Sequence, residues 1–167
     1  MEYRRLGLTD LCVSAVGFGA WPISGMSSVD VNDSDSLATI AACLDAGINF
    51  FDTAYCYGEQ GESERLLARA LGSHRDEIVL ATKGGIEWAP GRKQVLDSSP
   101  ARLRQQCDTS LERLQTDCVD LVYLHAPDPR TPVAESAAEL ARLLQEGKAR
   151  AIGASNCTVA QLAEFAR

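Results

Sequence analysis

The feature that most constrains the fold is a strand–helix rhythm that repeats five times along the 167 residues. Each repeat opens with a short apolar run and continues with a longer segment of helical period. The first run is Ser14–Gly19, and its helix covers about Ser34 to Ala46. That helix starts among Asp33, Ser34 and Asp35, which suit an N-cap, and Gly47 follows as its C′ residue. The second run, Ile48–Asp52, leads to a helix over about Ser63–Leu71 that stops at Gly72. The third, Ile78–Thr82, is followed by a long polar loop and a helix over about Pro100–Leu114. Ser99 is its expected cap, and Pro100 sits in the first turn, where a missing N–H costs nothing. The fourth run is Val119–Leu124, with a helix starting at Thr131–Pro132 and ended by Gly147. The fifth is Ala149–Ala154, after which Thr158 and Gln161 predict a capping box for a last helix.

Strands alternating with helices imply a parallel α/β sheet with right-handed crossovers. Glu2–Arg5 and Leu11–Val13 predict an N-terminal β-hairpin around Gly7–Asp10. Residues 1–167 read as a single domain without linker or low-complexity tract. Two architectures fit: an open, doubly wound sheet, or an incomplete (β/α)₈ TIM barrel of about five βα units. A full barrel normally takes about 250 residues. Rhythm alone does not choose between them.

Composition bounds the function. With 46% hydrophobic and 23% charged residues the chain is an ordinary globular one. A net charge of −7 argues against nucleic acid or an anionic membrane as the main partner. No stretch approaches the roughly 18 apolar residues of a membrane span, and the polar start Met1–Arg5 does not read as a signal peptide. The six cysteines show no C-x-x-C spacing and no paired histidines, so no metal site is expected. They read as buried free thiols in a reducing, cytoplasmic setting.

The polar residues at the strand ends carry the chemistry. The second run ends in Asp52, with Tyr57 shortly after; the third ends in Thr82–Lys83; the fourth leads to His125; the fifth leads to Ser155–Asn156. In a parallel barrel these ends share one mouth, and Asp, Tyr, Lys and His converging there make an acid–base site. Singly, each has an ordinary structural explanation: Asp52 as a loop cap, Lys83 as a solvated strand end, Tyr57 as packing, His125 as a satisfied core histidine. Polar residues at the same end of successive strands are harder to assign to coincidence.

Gly47-Ile48-Asn49-Phe50-Phe51-Asp52-Thr53-Ala54-Tyr55-Cys56-Tyr57-Gly58, continuing through Gly61-Glu62-Ser63-Glu64, resembles the first signature of the aldo-keto reductases. Ala81-Thr82-Lys83, Asp120-Leu121-Val122-Tyr123-Leu124-His125-Ala126-Pro127-Asp128 and Ile152-Gly153-Ala154-Ser155-Asn156 resemble its later motifs, in order. The style is that of the bacterial and potassium-channel-β-like branch. The resemblance implies an NAD(P)H-dependent oxidoreductase that reduces aldehydes or ketones, or oxidises the matching alcohols or sugars. It implies Tyr57 as general acid, aided by Lys83 and its partner Asp52, with His125 orienting the carbonyl. A free tyrosine titrates near pH 10, so a charged neighbour is needed for acid work near neutrality. Ser155 and Asn156 would bind the nicotinamide carboxamide, Gly19, Ala20 and Trp21 would lie along the cofactor or the pocket wall, and Asp52 counts among the cofactor-binding residues too. Trp21, Trp88 and His125 are the candidate substrate pocket. The expected cofactor is NADP(H), with NAD(H) the alternative. Gly17-Phe18-Gly19-Ala20-Trp21-Pro22 puts proline where a dinucleotide fingerprint needs its third glycine, which agrees with that family.

The departure is length, since the last three βα units of such a barrel are not in the sequence. The chain therefore reads as a piece of a longer product, as a half-barrel completed by another chain, or as a truncated form that no longer catalyses. A non-catalytic binding or sensor protein of the same family is the alternative function. An incomplete barrel should leave its first and last strands as open edges available for self-pairing, and its inner face as a large apolar patch. Cys56 reads as a loop filler.

Overall fold

The computed structural model describes all residues, 1–167. Five parallel strands form the central sheet in the order β3 (Phe18–Gly19), β4 (Phe50–Asp52), β5 (Val79–Gly84), β8 (Val119–Leu124), β9 (Ala149–Ala154). The intervening segments are β1 (Tyr3–Arg5) paired antiparallel with β2 (Cys12–Ser14), and the helices α1 (Asp33–Asp45), α2 (Glu62–Leu71), α3 (Pro100–Leu114), α4 (Val133–Gln145) and α5 (Val159–Phe165). Strand order follows chain order, and β3 and β9 are the two edges.

Side-chain alternation along the strands settles which architecture this is. Phe51, Leu80, Val122 and Leu124 pack with Ile40, Leu67, Leu103, Leu140 and Leu143 of the helices in the main core. The alternate residues Val79, Ala81, Leu121 and Ala151 form a second cluster whose other buried members are Leu11 and Val13 of the N-terminal hairpin. Helices therefore cover one face only, and the hairpin plugs the other. That is the incomplete barrel rather than the doubly wound sheet. The plug also corrects the expectation of an exposed apolar inner face, because Leu121 and Val79 are buried.

Four local expectations change. Asn32, rather than Asp33, Ser34 or Asp35, caps α1, accepting from the Asp35 N–H. The long polar loop after the third strand contains a hairpin, β6 (Ile86–Ala89) with β7 (Lys93–Leu96). Gly91 and Arg92 both take positive φ in its turn, and Pro90–Gly91 was the available turn signal. Ser99 occupies the N-cap of α3, but its side chain caps nothing; Pro100 begins the helix. Helix α4 starts at Val133, with Pro132 at the cap. The capping box at α5 forms as expected, with Thr158 accepting from the Gln161 N–H. No helix is long and apolar enough to cross a membrane.

Candidate active site

The parallel register brings the strand ends to one rim. Gly19 pairs with Asp52, Asp52 with Ala81, and Lys83 with Tyr123. The loop after β4 turns back through this rim, held by the Thr53 N–H on Ala81 O and the Tyr55 N–H on Lys83 O. This puts Tyr57 over Lys83.

Lys83 is 8% exposed, so its ammonium needs partners. Nζ donates to Asp52 Oδ2 at 2.7 Å and to Thr53 O at 2.7 Å, and it stands 3.2 Å from Tyr57 OH. The ring of His125 meets the Tyr57 ring edge-on, with centroids 5.8 Å apart. On the other side Trp21 meets Tyr57 edge-on at 5.1 Å. Burial, and after it the Lys83 charge, pushes the His125 imidazole down to about 4. The ring is therefore neutral at pH 7 and is a poor candidate for the proton source.

The four polar residues divide between two cavities. Asp52 and Lys83 line one of about 450 Å³, together with Gly19, Tyr123 and Ser155. Tyr57 and His125 line another of about 300 Å³, walled by Trp21, Trp88, Cys56 and Gln94. A larger cavity of about 670 Å³ lies on the open flank of β9, between α4 and α5, away from the four polar residues.

The first cavity leaves room at the strand ends, and its lining can be followed residue by residue. A Cβ built on Gly19 would meet nothing within 4 Å, so the strand end leaves open space beside Asp52. On the far side the Tyr123 ring approaches Gly153 closely, and a Cβ there would stand 2.6 Å from it. Ser155 is fixed by its N–H on Leu124 O. Asn156 takes φ +56°, a conformation asparagine tolerates, and donates from Nδ2 to His125 O and to Ser155 Oγ. Its amide oxygen is left as an acceptor.

Ala20 sits elsewhere than expected from sequence. It is fully buried, with its N–H on Asp52 O and its carbonyl accepting from Ser63 Oγ, and it lines neither cavity. Trp21 lines the cavity of Tyr57 and His125 only. Trp88 donates from Nε1 to Cys56 O.

Sequence reasoning missed four contributors. Gln94 enters from the β6–β7 hairpin. Tyr123 fell inside a quoted motif but was given no role. Cys56 has its Sγ 3.5 Å from His125 Nδ1. Glu64, fully buried, accepts from Thr82 Oγ1 at 2.8 Å and from Arg113 Nη1 at 3.1 Å, while Arg113 also holds Tyr55 O. Only Gln94 carried a local signal, the Pro90–Gly91 turn that folds it back.

Comparison with known proteins gives the family. Residues 15–167 match the model of the aldo/keto reductase family. The aldo-keto reductase YhdN of Bacillus subtilis is 38% identical over 99% of this chain, which spans 50% of that protein. The structure of the glycerol dehydrogenase AKR11B4 from Gluconobacter oxydans superposes with a TM-score of 0.87 at 40% identity, over 98% of this chain and 51% of that one. The holo form of the aldo-keto reductase AKR11C1 from Bacillus halodurans gives 0.84 at 35%, over 93% and 50%. The chain thus spans about half the length of these relatives, and it belongs to the aldo/keto reductase family.

Proposed function

We propose that this chain carries the acid–base half of an NAD(P)H-dependent carbonyl reductase, with Tyr57 as general acid. The observation that carries the reading is the contact of one buried ammonium, Lys83 Nζ, with both Asp52 Oδ2 and Tyr57 OH. Asp52 pairs with Lys83 in a poorly solvated place, where positioning rather than stability justifies the pair. The lysinium supports phenolate character as Tyr57 gives its proton to a carbonyl oxygen. His125, neutral, donates a hydrogen bond to that same oxygen and orients it between the walls of Trp21 and Trp88. A bound nicotinamide supplies the hydride. Gly19, Ser155 and Asn156 would hold its nicotinamide end. NADP(H) is the preferred form on family likeness, with NAD(H) second.

The substrate class is an aldehyde or ketone, or in reverse an alcohol or sugar. That the relative from Gluconobacter oxydans is a glycerol dehydrogenase supports including small polyols. All six cysteines are free, which supports a reducing compartment such as the cytoplasm. The unpaired edges of β3 and β9 are the route by which a second copy would pair.

The test is a titration of the 167-residue chain with NADPH, followed by nicotinamide fluorescence, and then NADPH consumption over a panel of carbonyls. Saturable binding with turnover is expected. Tyr57→Phe should abolish turnover and leave the titration nearly unchanged; substantial turnover in that variant removes Tyr57 from its role. Saturable binding without any turnover would instead favour a non-catalytic sensor.

A further inference from the structure

Cys56 does more than fill the loop. It is 3% exposed and held from both sides. Its carbonyl accepts from Trp88 Nε1 at 2.7 Å, and the next residue, Tyr57, is pinned by its N–H on Ala54 O. The side chain packs with Ala54 and Ile86, flanked by Tyr57, Trp88 and Ala126. So placed, Sγ stands 3.5 Å from Nδ1 of His125, a distance at which sulfur forms a hydrogen bond.

The direction of that bond decides the chemistry of the imidazole. Burial pushes the thiol up to about 12, so it keeps its proton. The imidazole is held neutral, as described above, and a neutral ring has one donor and one acceptor nitrogen. An imidazole nitrogen lone pair is a good acceptor, whereas a thiol sulfur is a weak one. With the thiol donating, Nδ1 accepts and the ring proton resides on Nε2.

We infer that Cys56 is a positioning residue whose thiol donates to His125 Nδ1 and so fixes the Nε2–H tautomer that presents a donor to the substrate cavity. Its catalytic consequence rests on the carbonyl-reducing reading. The tautomer itself does not. Without the thiol, the ring is free to place its proton on Nδ1, and the nitrogen offered to a carbonyl oxygen becomes an acceptor.

The tautomer is read by long-range ¹H–¹⁵N correlation of the ¹⁵N-labelled chain at pH 7, with His74→Gln leaving His125 as the one histidine observed. A single Nε2–H form is expected in the parent. Cys56→Val should give a mixture or the Nδ1–H form, and Cys56→Ser, which keeps a donor, should restore Nε2–H. An Nδ1–H form in the parent, or an unchanged tautomer in a folded Cys56→Val, overturns the inference. If Cys56→Val fails to fold, the smaller Cys56→Ala is read in its place. In turnover, Cys56→Val should lower kcat/KM roughly tenfold with NADPH affinity unchanged, and Cys56→Ser should recover most of it. A chain that shows the tautomer change but turns over no carbonyl keeps the inference and overturns the carbonyl-reducing reading.

Discussion

The Lys83 ammonium stands 3.2 Å from the Tyr57 hydroxyl while it also donates to the Asp52 carboxylate. One cation on β5 thus links the carboxylate at the end of β4 to the phenol in the loop that follows it. Lys83→Met should lower turnover by about 10²–10⁴-fold, the usual scale for losing acid–base assistance. It also strands the partly exposed Asp52 carboxylate, at a cost of roughly 1–3 kcal/mol. Asp52→Asn should cost a similar amount. The double variant should cost less than the sum, because the two residues share one interaction. Urea midpoints of the four proteins check the coupling; strict additivity would mean the pair contributes nothing.

His125 sets a pH dependence. Its imidazole titrates near 4 in the folded chain, chiefly from burial and then from Lys83, against about 6.5 when unfolded. Between these values the unfolded chain takes up a proton that the folded one refuses. Stability should therefore fall as pH drops from about 6.5 to about 4, and this contribution should be flat above that window. Carboxylates titrate there too, so the informative quantity is the difference between the parent and His125→Asn, measured by urea unfolding across pH 4–8. The two curves should converge toward acid relative to their separation at pH 7. Parallel curves would mean that the imidazole is not held neutral.

Asp52, Lys83 and His125 were legible in the sequence because a parallel barrel turns position along the chain into position in space: the end of every strand is at the same mouth. Tyr57 followed from its place in the motif. The β6–β7 hairpin was obscured because Glu87, Arg92, Lys93 and Gln94 break any apolar alternation, leaving only a Pro–Gly turn. Contacts between distant segments were illegible for a different reason. Cys56 and His125 are 69 residues apart, and Glu64 and Arg113 are 49 apart. Nothing local marks a first-turn glutamate as fully buried rather than solvated. Ala20 was assigned beside a cofactor by its neighbours in the motif, but strand alternation puts it in the core while Gly19 faces the cavity.

The Glu64–Arg113 pair holds the loop that carries Tyr57. Arg113 is nearly buried, donates to Tyr55 O, and lies over the Tyr55 ring at 4.5 Å. Arg113→Met leaves the Glu64 carboxylate buried with only Thr82 as partner, and should cost about 3–5 kcal/mol. Gly61 allows the close approach: it takes φ +77°, and a Cβ there would stand 2.5 Å from Arg113 Nε. Gly61→Ala should therefore destabilise through both backbone and contact, by more than the roughly 1 kcal/mol of an exposed helical glycine exchange. Thermal unfolding of both variants is the measurement, and a shift within error for Arg113→Met would show the pair to be dispensable.

Asn156 permits a separation of shape from chemistry. Its φ of +56° is a conformation that costs alanine roughly 1–2 kcal/mol and costs glycine almost nothing. Its amide meanwhile ties His125 O to Ser155 Oγ. Asn156→Ala should lower both stability and NADPH affinity. Asn156→Gly should keep the backbone turn and recover the backbone part of the stability, yet still bind NADPH about tenfold more weakly, the scale of one lost hydrogen bond. Equal NADPH affinity in Asn156→Gly and the parent would mean that this residue shapes the strand end without touching the cofactor. Equal weakness in both variants, with only Asn156→Ala destabilised, assigns the amide itself to the nicotinamide.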